Sequence, residues 1–391
     1  MRLTLDPVST LPEDAAQATL VGRVWRPDLS GPSVIAIRDG RAFDISDATA
    51  TTADLLNAPD PVRIARDASG DDLGPVAALI ANSGLDARDP AAPWLLAPCD
   101  LQAVKACGVT FAASLLERVI EEQAKGDASA ADAIRQRIGN EIGTDLGAIV
   151  PGSEAAMRLK EALIARNAWS QYLEVGIGPD AEVFTKAQPM SSVGTGAEVG
   201  IHPQSVWNNP EPEVVLALSA DGRIVGASLG NDVNLRDVEG RSALLLGKAK
   251  DNNASCAIGP FIRLIDERYT LDDLRATQVG LRVEGDDQFV LEGSSSLALI
   301  SRDIADLAAQ TIGANHQYPD GAMLFTGTMF APVKDRGAAG KGFTHSVGDI
   351  VTVASPRLGA LVNRVTTSDR AEPWVYGTGA LMRNLAGRGL L

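Results

Sequence analysis

Three acidic residues with strand spacing carry the strongest chemical signal in the chain. In NNPEPEVVLALSADGRIVGASLGNDVNLRD, Asp221-Gly222 between two apolar runs reads as a two-residue hairpin turn. Counting back from that turn sets Glu211 opposite Asp232 and Glu213 opposite Gly230. Glu211 and Glu213, two apart on one strand, face the same way, and Asp232 arrives across from them. Like charges opposed on a sheet are each unfavourable by about 0.2 to 1 kcal/mol, so a cation that offsets them makes the arrangement reasonable. An all-oxygen ligand set selects Mg²⁺, Mn²⁺ or Ca²⁺ over zinc. The bland alternative is a solvated acidic face, because a single E-x-E is a weak signal. Lys250 nearby weighs against that alternative, since a metal site that receives an anion also calls for a cation on its wall.

The elements that must position these residues can be read on either side. Residues 18 to 46 form short strands, with Asp39-Gly40 as a hairpin turn between SVIAIR and RAFDIS. The Pro- and Ala-rich stretch DARDPAAPWLLAP follows NSGL and places a boundary near residue 90. The expected organisation is a small β-rich N-terminal domain over 1–90 and a catalytic domain over 91–391. Helical spacing over 111–125, 129–142 and 153–167, with Ser153 as N-cap of the last, forms a helical insert at about 111–167. From about 180 the texture is strands and turns, apart from a helix near 301–313 that Ser301 would cap. The fold class is α+β and mainly β.

Composition bounds the function. A formal charge of -15 with no basic run excludes nucleic acid as a partner. Hydrophobic residues at 45% are enough for a sizeable core. No run of about 18 apolar residues is present to cross a membrane, and Met1 to Thr10 lacks the pattern of a signal peptide, so a cytoplasmic location is expected. Cys99, Cys107 and Cys256 are widely spaced, without C-x-x-C, and read as buried reduced thiols. SVGTGAEVG at 192–200 is G-x-G-x-x-x-G in β surroundings and is rejected as a dinucleotide loop; GSSSL at 293–297 is not a nucleophile elbow.

From about Pro98 to Arg364 the chain resembles the fumarylacetoacetate hydrolase superfamily. Six blocks come in that family's order: GVTFAASLLE at 108–117, FTK at 184–186, EPE at 211–213, NDVNLRD at 231–237, KDNNASCAIGP at 250–260 and FTGT at 325–328. The resemblance implies a mixed β-sandwich roll in homodimers or homotetramers, with Glu211, Glu213 and Asp232 as ligands of Mg²⁺. It also implies Lys250 beside the metal, with Ser114, Glu117, Lys186, Arg236 and Thr328 around a small anionic α-keto acid.

Hydrolytic members carry a histidine that activates water where this chain has Ser114, although Glu117 is kept. Serine cannot replace imidazole as a base near neutral pH. His202, His316 and His345 do not match that position and read as structural or surface residues. Glu182 before FTK and Glu239 are further departures, and both add acid–base capacity. The pattern resembles the branch that dehydrates 2-keto-3-deoxy sugar acids, and within it the pentonate dehydratases. The expected reaction is Mg²⁺-dependent conversion of a 2-keto-3-deoxypentonate to 2,5-dioxopentanoate. Lys250 would abstract the proton or stabilise the enolate, and Glu182 would protonate the departing hydroxyl, with the order reversible. As a base, Lys250 would need a lowered pKa. The rival readings are an acylpyruvate hydrolase, which Ser114 opposes, and a catalytically silent binding protein.

Overall fold

Along VVLAL the side chains alternate between two apolar surroundings, as a strand covered on both faces requires. Val214, Leu216 and Leu218 join one core cluster, and Val215 and Ala217 another. The computed structural model describes residues 1–391 except 126, 132, 135–148, 166–168, 331, 333 and 338–341. Pro212–Leu218 is a strand near the middle of an 11-stranded sheet. In order from one edge the sheet runs Asp71–Pro75, Arg41–Asp44, Gly31–Arg38, Leu20–Arg26, Cys256–Leu264, Ile224–Asp232, Pro212–Leu218, Ala322–Phe325, Ala103–Gly108 and Glu182–Ala187. Trp94–Leu96 also pairs with Leu20–Arg26. Successive pairs are antiparallel except for Ala322–Phe325 beside Ala103–Gly108. A second sheet of five strands, containing Gln278–Glu284, Ile350–Ser355 and Gly359–Thr367, packs across the first. Leu216 and Leu229 of the large sheet share a core with Leu281, Val353 and Leu361 of the small one, which makes a β-sandwich. The strands of residues 1–90 enter the same large sheet, where Leu20 pairs with Arg263 and Val21 with Ile262.

The two hairpins expected from Asp-Gly differ at their tips. Asp39 and Gly40 both have positive φ (48° and 71°), and Arg38 pairs directly with Arg41 across a two-residue turn. At Asp221-Gly222 only Gly222 is left-handed (82°), so the mirror-image turn does not form. The tip is longer: Gly222 N donates to Ser219 O (2.9 Å) and Ser219 N to Arg223 O (3.0 Å). Pairing therefore begins one step out, at Leu218 with Ile224. A bulge at Val225 then restores the register, so that Ala217 meets Gly226 and Glu213 meets Gly230. Asp232 N donates to Glu211 O (3.0 Å), which brings the expected pair face to face.

The helical stretch over 111–125 is a helix at Ala112–Ala124. Its apolar residues Leu115, Val119 and Ile120 pack with Ala156, Leu163 and Leu173 from Glu154–Ala165 and Gln171–Ile177. Ser153 accepts from Ala156 N (3.2 Å), the cap expected of it. Most of the 129–142 pattern lies outside the described residues. The later helix is Ile304–Thr311, and its cap is Asp303, which accepts from Ala305 N (2.8 Å). Ser301 is drawn elsewhere: its backbone N and its hydroxyl both donate to Thr110 O at 2.8 Å. No helix among the described residues is long and apolar enough to cross a membrane.

Candidate active site

Glu211 precedes the Pro212–Leu218 strand, Glu213 lies within it, and Asp232 ends its neighbour, so one buried point receives all three carboxylates. One oxygen from each lies within 4.8 Å of the others. Glu213 Oε2 accepts from Gly327 N (2.7 Å), supplied by the turn after Ala322–Phe325. Lys250 ends the short helix Leu246–Lys250 and sets its Nζ 2.5 Å from Glu211 Oε2 and 3.0 Å from Asp232 Oδ2. Lys186 reaches Asp232 Oδ1 at 3.0 Å from behind and donates to Lys250 O (2.5 Å), tying the two lysine-bearing segments together.

A second wall comes from the Ala112–Ala124 helix and the Glu182–Ala187 strand. Arg118 bonds Glu211 and lies 2.6 Å from Glu121 and 3.0 Å from Glu239. Ser114, Arg118, Glu182, Phe184, Glu239 and Thr328 line a cleft together with the three carboxylates and Lys250. The hydroxyls of Ser114 and Thr328 are engaged with Phe111 O (2.9 Å) and Phe330 O (3.0 Å). Among the described residues no histidine lines this cleft.

Charge and burial compete here, and the outcome differs from group to group. Burial, then Asp232 and Glu211, hold Glu213 well above the carboxylate range. For Glu211 the burial is outweighed by Lys250 and Arg118, and its carboxyl titrates low. Burial, followed by the charge of Glu239, pushes Glu182 up to about 7. Glu182 is half-buried as a residue, but its carboxyl end is turned inward over Gly108. Burial also raises Glu239, against the pull of Arg118 and Lys250. Lys250 runs opposite to what a lysine base requires: burial would lower it, but Asp232, Glu211 and Glu239 outweigh burial and keep it charged.

The donor set fits a hard divalent cation. Three buried carboxylates converge, and the upward pull that burial, Asp232 and Glu211 exert on Glu213 marks a place where added positive charge is favoured. Glu211, Glu213 and Asp232 are the residues that would hold the ion.

Residues 174–366 match the family described as fumarylacetoacetate (FAA) hydrolase C-terminal, a span that contains the three carboxylates, both lysines and Glu182. Over that span, just under half of its length, the chain is similar to the fumarylacetoacetate hydrolase family. A "2-dehydro-3-deoxy-D-arabinonate dehydratase" of Saccharolobus solfataricus is 32% identical over 187 residues, which is 47% of this chain and 58% of that protein. A "Probable 2-keto-3-deoxyxylonate dehydratase" of Haloferax volcanii is 30% identical over 196 residues, 50% of this chain and 64% of the relative. The matched region thus spans less than two thirds of these curated relatives. In fold, the chain is similar to a 2-keto-3-deoxy-D-arabinonate dehydratase solved with magnesium and 2,5-dioxopentanoate. The TM-score is 0.60 at 20% identity, covering 90% of this chain and 100% of that one.

Within the matched span and the helix before it, the expected site residues divide into two groups. Glu182, Glu211, Glu213, Asp232, Lys250, Ser114 and Thr328 share the cleft. Lys186, Glu117 and Arg236 stand behind it: Arg236 binds Glu117 (3.1 Å), Glu121 (2.6 Å) and Pro332 O (3.3 Å) and stacks on Trp207 at 4.4 Å. Arg118 was missed by sequence reasoning. The signal was present, since Ser114, Glu117, Arg118 and Glu121 are three and four residues apart and form one stripe of the helix.

Proposed function

We propose that this chain dehydrates a 2-keto-3-deoxypentonate to 2,5-dioxopentanoate with a divalent ion, Mg²⁺ first among the candidates, on Glu211, Glu213 and Asp232. The observation that carries this reading is the convergence of three buried carboxylates on one cleft with an acid–base carboxyl, Glu182, in its wall. The names of the two relatives and of the fold neighbour support it. A bound ion would act as a Lewis acid toward the keto oxygen of the substrate as carbon 3 loses its proton.

The chain's own groups then divide the work. Lys250, held charged, supports negative charge at the keto oxygen and is a poor proton acceptor. Glu182, near neutrality, is suited to take the proton from carbon 3 and return it to the hydroxyl leaving carbon 4. The carbon 3 hydrogen and the carbon 4 hydroxyl depart together as water and leave a 2-keto-3-ene that bears the carbon 5 hydroxyl; transfer of a proton from carbon 5 to carbon 3 then gives an enol across carbons 4 and 5, which tautomerises to the semialdehyde. Against its burial, Lys250 and then Arg118 draw the titration of Glu211 down, and Arg118 fixes its carboxylate in place. Ser114 and Thr328, whose hydroxyl protons are taken by Phe111 O and Phe330 O, have acceptor oxygens left for the substrate's hydroxyls, while Lys186, Glu117 and Arg236 brace the cleft from behind. We propose further that the enzyme works in the cytoplasm as a homodimer or homotetramer. Three buried free cysteines suit a reducing compartment, and Val206 and Leu244, 80% and 95% exposed, suit a subunit contact; light scattering tests the assembly.

The decisive experiment incubates the purified chain and Mg²⁺ with a 2-keto-3-deoxypentonate of either configuration and, separately, with an acylpyruvate. Semialdehyde from the first is expected. Pyruvate from the second alone would establish a hydrolase, and no product from either would leave a binding protein.

A further inference from the structure

We propose that Gly108 is a positioning residue whose missing side chain is the slot through which Glu182 turns its carboxylate into the cleft. This inference rests on the role given to Glu182 above.

Gly108 ends the Ala103–Gly108 strand and pairs directly with Glu182 on the neighbouring antiparallel strand. Cross-strand partners normally stand side by side with their Cβ atoms about 4.5 to 5.5 Å apart. Here the glutamate leans over its partner. A Cβ built on Gly108 would lie 1.9 Å from Glu182 Oε2, 2.7 Å from its Cδ and 3.4 Å from its Cγ. The backbone does not call for glycine, because Gly108 is not among the residues of positive φ. What the position requires is space.

The slot cannot open by a shift of the strands, because a single junction clamps the chain on both sides of it. Ser301 holds Thr110 O with two donors at 2.8 Å, just beyond Gly108. Arg302, buried, donates to Val175 O (2.9 Å), Gly178 O (2.6 Å), Pro179 O (3.2 Å) and Asp180 O (3.2 Å), just before Glu182. With both strand ends pinned, a methyl group at 108 must displace the carboxyl. Moving Oε2 from 1.9 Å to the 3.0 Å minimum of real Cβ contacts requires at least about 1 Å. A misplacement of that size costs on the order of 10²-fold in rate when the displaced group handles the proton.

The test is Gly108→Ala, alone and with Glu182→Gln, in the intact Mg²⁺-loaded protein. Turnover of the 2-keto-3-deoxypentonate should fall about 10²-fold in Gly108→Ala, with KM and Mg²⁺ affinity within about threefold of the parent. In the Glu182→Gln background the same alanine should change turnover little, because the aimed group is already gone. Equal losses in both backgrounds, or none in either, overturn the proposal. A readout independent of activity is the titration of carboxyl-¹³C-labelled glutamate, with the Glu182 resonance identified by its absence in Glu182→Gln. Its midpoint should move on Gly108→Ala, and an unmoved midpoint counts against the slot. Should the alanine variant be unstable, the melting temperature it loses should return in Gly108→Ala/Glu182→Ala, and failure to return refutes the clash. If the parent yields no semialdehyde, the proposed function falls, while titration and melting still decide the role of Gly108.

Discussion

Loading the carboxylate site with Mg²⁺ should release a proton. Oxygens of Glu211, Glu213 and Asp232 lie within 4.8 Å of one another. At an effective dielectric of about 20, two unit charges at that separation repel by about 3.5 kcal/mol, several times thermal energy. Lys250 sits on Glu211 and Asp232 and compensates those two, whereas Glu213 has the Gly327 amide and no cation at hydrogen-bonding distance among the described contacts. Burial and its two charged neighbours therefore raise Glu213 and favour its protonated form in the metal-free site. A hard cation takes only the ionised carboxylate, so binding expels that proton, and affinity rises with pH until Glu213 ionises unaided. Isothermal titration in two buffers of widely different ionisation enthalpy should show proton release on binding, at most about one per ion, with the dissociation constant tightening by up to about tenfold per pH unit. Glu182→Gln serves as a control, since Glu182 near 7 could release part of the proton. Heat independent of buffer, together with pH-independent affinity, would mean that Glu213 is already ionised and would refute the reasoning from crowding.

Other outcomes follow from the same groups. Because Glu182 must be ionised to accept the carbon 3 proton, kcat/KM should rise with pH through a midpoint at or below about 7, where the charge of a bound ion draws it down; activity that falls over that range would reassign Glu182 as an acid only. Glu182→Gln should lose about 10²-fold or more in turnover, with Mg²⁺ affinity nearly intact. Arg118→Met leaves Glu211, Glu239 and Glu121 crowded without their guanidinium and should destabilise the protein by about 3 to 5 kcal/mol in urea unfolding; a change under about 1 kcal/mol would show the cluster neutral without it. Asp303→Ala should cost about 1 kcal/mol by uncapping the Ile304–Thr311 helix, which hydrogen exchange at its first turn would report as faster.

Much of the site was legible from local periodicity. The alternation in VVLAL and the Asp-Gly turn set Glu211 across from Asp232, even though the turn is one residue longer than two; the bulge at Val225 cancels the offset. The helix at Ala112–Ala124 and the Ser153 cap followed from spacing and cap chemistry in the same way. Ser301 misled because hydroxyl caps compete with any free carbonyl nearby, and Thr110 O, remote in sequence, wins.

What the sequence by itself determined are relations carried within a strand, a hairpin or a helix: the shared face of Glu211 and Glu213, the arrival of Asp232, and the stripe from Ser114 to Glu121. What only the tertiary structure decided is how these pieces meet and what charge each group then holds. Glu182 reaches the cleft because Ala103–Gly108 pairs in parallel with Ala322–Phe325 and thereby brings the Glu182–Ala187 strand to the carboxylates. Lys250 is held toward its charged form, the one suited to the enolate-stabilising alternative, because Asp232, Glu211 and Glu239 together outweigh its burial. Strand and helix periods are properties of a few adjacent residues, whereas a pKa sums desolvation and charge over every element packed around the group.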